Sequence, residues 1–167
     1  NNVFQFIRVE DLAYDRNNDI LYASDESGNL FTVNQSTAGL TAITASTPLI
    51  GLAFDRNTET LWGAGLNGNV YTVNPTTGAA TLVGPHGLGA GELDGLDFDP
   101  VDNRLYGVFN DFSTDSKLVL VNQSTGAASI IGAVSPGTIA ITGIAFNDDD
   151  GYLYGVNSST SQVLKIN

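Results

Sequence analysis

The 167-residue sequence contains no cysteine and no methionine, and it has a single histidine and a single tryptophan. Without cysteine the chain forms neither disulfides nor thiolate-ligated metal sites, and it has no thiol nucleophile. The single histidine, His86, excludes any metal site that uses two histidines. Because an initiator methionine is absent, we expect a processed form or a part of a longer chain.

Basic residues are also scarce, with six Lys and Arg against eighteen Asp and Glu and a formal net charge of −12. Nucleic acids and anionic membranes attract basic clusters, so we expect no nucleic-acid partner. No apolar run reaches the length of a membrane-spanning helix, so we expect no membrane insertion. Charged residues make up 14% of the chain, against roughly 25% in a typical soluble domain. This composition predicts an extracellular or cell-surface protein.

Four related segments make up the chain from residue 11 onward, and we predict one domain over residues 1–167. The repeats begin at residues 11, 51, 95 and 143, and the second opens with Gly51-Leu52-Ala53-Phe54-Asp55. Each opening motif is followed by a polar turn, a Leu-aromatic-small motif and an alternating apolar segment. A fourth apolar segment follows in the first three repeats.

These segments are short, rich in β-branched and aromatic residues, and separated by Asn, Asp, Gly and Pro, which predicts strands joined by tight turns. Four antiparallel strands in a repeat of 40 to 48 residues are typical of a β-propeller blade. We therefore predict an all-β propeller of four four-stranded blades with almost no helix. A sandwich of stacked hairpins is the alternative.

The repeats resemble those of secreted bacterial β-propeller proteins, whose pattern runs G-L-A-x-D, L-Y-G and L-Y-x-V-N-x-x-T-G-A-A-T. The second repeat matches along its whole length, from Gly51 to Gly84. The resemblance implies that each Gly51-type segment is the innermost strand of its blade. It implies no particular chemistry. Familiar members have six to eight blades, whereas this chain has four repeats.

The fourth repeat ends after its third strand, and the N-terminus carries an unassigned apolar segment. We expect this segment to supply the missing outer strand, either in the same molecule or in a neighbouring one. Donation to a neighbour would build a ring or a filament, and two chains together would make eight blades. The segment consists of Val3, Phe4, Gln5, Phe6 and Ile7.

Three residues are candidates for binding a ligand. Asp97 and Asp99 lie on one face of the third inner strand, and Asp97 stands where the other repeats have alanine. His86 lies in a glycine-rich segment without a recognisable nucleophile or phosphate-loop lysine. The structural alternative for Asp97 and Asp99 is a solvated or hydrogen-bonded carboxylate. For His86 it is a flexible loop on the rim of the propeller.

The run from Asn147 to Gly151 is a candidate for weak surface calcium binding, although its spacing is not that of an EF-hand. A hairpin turn explains it equally well. Three Asn-x-Ser sequons begin at Asn34, Asn122 and Asn157, and these could carry glycans in a eukaryotic secretory cell. We otherwise expect no cofactor.

One aromatic residue recurs at the same place in every repeat, which predicts packing between blades in preference to a carbohydrate-binding row. The four are Tyr22, Trp62, Tyr106 and Tyr154.

Three functional hypotheses follow. The first is a non-catalytic structural or interaction module that assembles with copies of itself into oligomers or filaments through residues 3–7. The second is a monomeric propeller that binds an extracellular protein or glycan in adhesion. The third is a hydrolase or lyase that uses Asp97 and His86, and it ranks last because no complete catalytic constellation is present.

Overall fold

A computed structural model describes residues 8–43, 47–112, 115–134 and 141–166. These ranges contain strands and turns and no helix, and hence no helix that would cross a membrane. The all-β prediction is confirmed. The strands are β1 (Val9–Asp15), β2 (Ile20–Asp25), β3 (Leu30–Val33), β4 (Leu40–Ile43), β5 (Leu49–Asp55), β6 (Thr60–Gly65), β7 (Asn69–Val73), β8 (Ala80–Pro85), β9 (Glu92–Asp99), β10 (Arg104–Asn110), β11 (Lys117–Val121), β12 (Ala128–Ala133), β13 (Ile141–Asn147), β14 (Tyr152–Asn157) and β15 (Gln162–Ile166).

Consecutive strands pair antiparallel into four sheets, which we call blades 1 to 4. Blades 1 to 3 have four strands each, and blade 4 has three within the described residues. The first strand of each blade is innermost, and β1, β5, β9 and β13 pack against one another in that order. The four-bladed propeller is confirmed, and the sandwich alternative is wrong. The predicted closing strand, residues 3–7, lies outside the described residues.

A repeated hydrogen-bonded turn joins the first two strands of each blade. Asp55 Oδ1 accepts hydrogen bonds from the backbone N–H groups of Asn57, at 2.8 Å, and Thr58, at 3.3 Å. Asp15, Asp99 and Asn147 make the same type of turn. Such side chains favour turns because they replace the backbone acceptors that a strand would supply. The recurring Asp and Asn therefore fix where each inner strand ends.

A β-bulge interrupts each inner strand near its start. A bulge adds one residue to a strand and redirects side chains locally. We call this end of the propeller the upper end, and the end with the Asp15-type turns the lower end. The residues at the four bulges are Glu10, Ile50, Asp94 and Thr142.

The hydrophobic core is divided into three clusters, one at each interface between consecutive blades. In each cluster one blade packs on the next. We call the face that a blade turns toward the following blade its trailing face, and the face that it turns toward the preceding blade its leading face. A leading face consists of inner-strand residues such as Leu49, Leu52 and Phe54 of blade 2. A trailing face consists of second-strand and third-strand residues such as Tyr22 and Leu30 of blade 1.

Candidate functional site

Two carboxylates cross-link inner strands of different blades near the axis. Asp11 Oδ2 accepts hydrogen bonds from the backbone N–H groups of Leu52, at 2.8 Å, and Leu96, at 3.4 Å. Asp97 Oδ2 accepts one from Phe146 N–H at 2.5 Å. Asp11 thereby joins blade 1 to blades 2 and 3, and Asp97 joins blade 3 to blade 4.

Burial perturbs both of these carboxyl groups. It raises the pKa of Asp97 to about 6, although the backbone hydrogen bonds from Phe146 and Phe98 act in the opposite direction. Burial also raises the pKa of Asp11 well above its usual value, and the nearby charge of Asp97 adds to this effect. A perturbed carboxyl in a cleft is a candidate for chemistry. Here, however, the oxygens that would contact a ligand already accept bonds from the backbone.

Asp97 also lines a cavity of about 260 Å³ at the lower end, together with residues from all four blades. Two arginines converge there on one carboxylate. Arg16 Nη1 of blade 1 lies 3.0 Å from Asp148 Oδ2 of blade 4, and Arg56 Nη1 of blade 2 lies 2.6 Å from the same oxygen. The lower opening is therefore bridged by an ion-pair network that connects three blades.

A larger cavity, about 580 Å³, opens at the upper end and is lined by the four bulge residues. Two further acidic residues, Glu26 and Glu92, also line it. The pKa of Glu92 is raised by burial and by the neighbouring Asp94. Burial likewise raises the pKa of Asp94, which accepts a hydrogen bond from Asn110 Nδ2. The sequence did not predict this opening, because it arises from bulges that carry no sequence signature.

The other two ligand candidates do not line these openings. Asp99 is buried, and its Oδ1 accepts hydrogen bonds from Val101 N–H and Asp102 N–H in the repeated turn. His86 is buried against the Phe109 ring, with 5.4 Å between the ring centroids. The interpretation of His86 as part of a flexible rim loop is therefore wrong. Its ligand role stays a prediction, as do those of Asp97 and Asp99.

The His86 imidazole is held by the interface between blades 2 and 3. Its Nδ1 accepts a hydrogen bond from Leu88 N–H at 3.1 Å, and its backbone oxygen accepts one from Ala128 N–H at 2.8 Å. Burial lowers the pKa of His86, and a backbone hydrogen bond with Gly91 partly offsets this. The structure records no contact between His86 and Asp97, and His86 lines neither opening. The structure therefore does not bring the predicted pair of His86 and Asp97 together.

The turn from Asn147 to Gly151 has the structure of the other hairpin turns, with Asn147 Oδ1 accepting from Asp149 N–H at 3.0 Å. No group of three or more acidic residues or histidine within the described ranges is arranged to hold a metal ion. Calcium binding there stays a prediction. Among the sequon residues, Asn34 and Asn122 are exposed, whereas Asn157 is buried.

The recurring aromatic residues pack between blades where a following blade is present. The rings of Tyr22 and Phe54 stack across the first interface with their centroids 6.2 Å apart. Trp62 is buried in the second cluster, and Tyr106 packs against the third. Tyr154 of blade 4 is partly exposed, and its hydroxyl donates a hydrogen bond to Asp150 at 2.6 Å.

The leading face of blade 1 is exposed at positions that are buried in the other blades. Leu12 is 50% exposed, whereas its equivalents Leu52 and Leu96 are 0% and 1% exposed. Tyr14 and Val9 are exposed in the same way. No described blade packs on this face as each blade packs on the next at the three internal interfaces.

The trailing face of blade 4 shows the complementary exposure. Val163 is 70% exposed, whereas its equivalent Leu30 is 0% exposed. Val156 is 49% exposed, and its equivalent Val108 is fully buried. Within the described residues, neither of these two faces is covered by another blade as the internal faces are. Their exposure was not predicted, because the residues themselves match the buried repeat pattern.

Comparisons with known proteins agree with this architecture. A family profile described as a domain of unknown function (DUF4394) matches residues 38–105. No curated protein matches the chain. Among solved structures, a protein of unknown function from Bacteroides thetaiotaomicron VPI-5482 superposes with a TM-score of 0.71 at 17% identity, over 96% of this chain and 48% of that one.

Two further solved structures are similar. A gluconolactonase from Xanthomonas campestris has a TM-score of 0.60 at 13% identity, over 92% of this chain and 56% of that one. U3-55K has a TM-score of 0.56 at 10% identity, over 96% of this chain and 52% of that one. At these identities the likeness shows the fold alone. The chain spans about half the length of these three solved structures.

Proposed function

We propose that this protein is a non-catalytic interaction module that associates with copies of itself outside the cell. The observation that carries the proposal is the exposure of the two end faces. Three internal interfaces bury the same positions that blade 1 and blade 4 leave open. Apolar residues grouped on one surface are typical of interaction sites.

Fully burying an exposed Leu or Val side chain contributes roughly 1.5–3 kcal/mol. Leu12, Val156 and Val163 are 50%, 49% and 70% exposed, so covering each of them gains part of this energy. The absence of cysteine and the resemblance to secreted propeller repeats support the extracellular location.

Catalysis has less support. The gluconolactonase neighbour shares the fold at 13% identity, and one fold hosts many functions. Asp11 and Asp97 hold backbone N–H groups of neighbouring blades, and His86 is buried away from both openings. We therefore assign the axial carboxylates a structural role.

Ligand or glycan binding at the upper opening is a second candidate function. All four blades line this cavity of about 580 Å³, and Glu92 and Asp94 supply hydrogen-bonding groups at its wall. Replacing Glu92 by glutamine should then change binding in a glycan array without changing particle mass. Identical array profiles for the two proteins would remove this candidate.

The N-terminal segment is a second means of self-association. In the described residues β15 pairs with β14 on one side only, and we propose that residues 3–7 pair along its other side, in the same molecule or in a neighbour. Deleting residues 1–7 should lower the melting temperature or the particle mass. Unchanged melting and unchanged mass would refute this role.

The central experiment is the particle mass by light scattering over a concentration series at two ionic strengths. We expect particles heavier than the 17.5 kDa chain. The net charge of −12 repels neighbouring copies, so added salt should strengthen an association that rests on apolar faces. A monomer at every concentration, or an association that salt dissolves, would contradict the proposal.

A further inference from the structure

We propose that the trailing face of blade 4 in one molecule packs against the leading face of blade 1 in a second, so that two copies close into one eight-bladed ring. This inference rests on the self-association proposed above and names its partner and its geometry. The trailing face is defined by Tyr154, Val156 and Val163, and the leading face by Val9, Leu12 and Tyr14.

The three internal interfaces show which kind of surface packs on a trailing face and which kind packs on a leading face. In each, an aromatic and an aliphatic residue of a trailing face meet the inner-strand residues of the next leading face. Between blades 1 and 2, Tyr22 and Leu30 pack with Leu52 in one cluster. The end faces carry the same residue types at the same positions. A trailing face is therefore complementary to a leading face, and every copy of the chain carries one of each.

The internal stacked pair gives the new contact a specific register. Tyr22 of blade 1 stacks on Phe54 of blade 2 with an angle of 17° between their ring planes. The equivalents at the open faces are Tyr154 and Tyr14. We infer that these two tyrosines stack across the contact between copies.

The two faces differ, so the contact is head-to-tail, and such contacts build either closed rings or open filaments. The four blades superpose with a TM-score of 0.71 on 48% of a chain about twice as long. Their arrangement therefore matches about half of that longer chain. Two copies related by a twofold axis supply both halves, which favours a ring over a filament.

Within one molecule, the ion pair between Arg16 and Asp148 connects blades 1 and 4 at the lower end. The Arg16 side chain is 62% exposed, and exposed ion pairs are weak and are screened by salt. The apolar faces above this pair stay open to solvent. A second copy that enters here separates the Arg16–Asp148 pair, and the Arg56–Asp148 pair between blades 2 and 4 opens as the two end blades move apart.

The test uses two variants, each of which blocks one face. Leu12→Arg alters the leading face and Val163→Glu alters the trailing face, and both residues are already at least half exposed, so the fold tolerates the changes. Val101→Arg is the matched control, because Val101 is 78% exposed in a hairpin turn outside both faces. Circular dichroism verifies that all three fold.

We expect wild type and Val101→Arg at about 35 kDa, the mass of two copies, and each face variant alone at the 17.5 kDa of one chain. Mixing Leu12→Arg with Val163→Glu should restore the two-copy mass. In the mixture one contact joins two unaltered faces, and the other places the new arginine opposite the new glutamate. Face variants that keep the wild-type mass, a mixture that stays monomeric, or an open polymer would each overturn the inference.

A cross-linking experiment tests the register and does not depend on the face variants. The chain has no cysteine, so Tyr14→Cys and Tyr154→Cys each introduce one unique thiol. A short bis-maleimide should join a mixture of the two into a species of twice the chain mass, whereas Val101→Cys mixed with either should give no cross-linked species. A double variant that cross-links only within one chain would instead show that blades 1 and 4 of the same molecule contact each other.

The two proposals fail in different ways. A wild type that is monomeric throughout refutes self-association itself. Dimers that neither respond to the face variants nor form the cross-link refute this geometry alone.

Discussion

Replacing Asp97 by alanine should remove a defined pH dependence from the stability of the propeller. Burial raises the pKa of this carboxyl from 3.8 to about 6. A carboxyl whose pKa is raised on folding stabilises the folded state when it is protonated. That contribution is fully present below the unfolded pKa and is lost as the pH rises through about 6.

The magnitude follows from the size of the shift. One pKa unit corresponds to about 1.4 kcal/mol, so the carboxyl of Asp97 should lower the free energy of unfolding by about 3 kcal/mol between pH 4 and pH 7. Asp11, Glu92 and Asp94, whose pKa values are also raised, add to the wild-type slope in the same direction. The difference between wild type and Asp97→Ala isolates the share of Asp97.

Urea unfolding at a series of pH values measures this difference. The alanine should be accommodated, since Ala13, Ala53 and Ala145 occupy the same position in the other blades. Asp149→Ala is the control, because Asp149 is an exposed residue of the same turn as Asp148. Parallel pH profiles for wild type and Asp97→Ala would show that Asp97 is solvated, and the argument from its burial would fail.

Three further outcomes are expected. Trp62→Ala should cost about 3–5 kcal/mol in urea unfolding because it empties a packed interface, whereas Tyr154→Ala, at the equivalent open position, should cost the isolated chain less than about 1 kcal/mol. Gly126→Ala should destabilise more than Gly151→Ala in thermal melts: both glycines have positive φ, but a Cβ at Gly126 would overlap the Gly84 backbone while one at Gly151 meets nothing. The NMR titration of His86 should give a pKa below the 6.5 of an ordinary solvated histidine, and a value at or above 6.5 would show that the side chain is solvated.

The repeat pattern was sufficient to predict the architecture. Each Asp55-type residue occurs at the end of an inner strand because its side chain closes the turn. Tyr22, Trp62 and Tyr106 lie at the blade interfaces because a large flat ring fills the space between two sheets. These features are local and recur from blade to blade, so the sequence signal accumulates.

The departures from the pattern were harder to interpret. Asp11 occupies the position of Gly51, Gly95 and Gly143, and this substitution was the available signal for a residue that contacts neighbouring blades. The His86 ring packs closely on Gly68, where a Cβ would lie 3.2 Å from the imidazole Nε2. Neither contact follows from spacing along the chain: the first depends on how separate repeats approach one another, and the second on how the Gly68 turn meets the segment after β8 within blade 2.

The chemistry of the open faces itself argues for an interface that is exposed part of the time. The three covered leading faces carry Phe54, Phe98 and Phe146, whereas the exposed one carries Tyr14. The Tyr14 hydroxyl donates a hydrogen bond to Asp19 at 2.6 Å, so the ring is solvated at its edge while its face stays apolar. A tyrosine is stable both on an exposed surface and in a buried interface, since its hydroxyl is polar and its ring is apolar. Tyr154 combines the same two properties on the opposite face, as expected of two surfaces that meet reversibly.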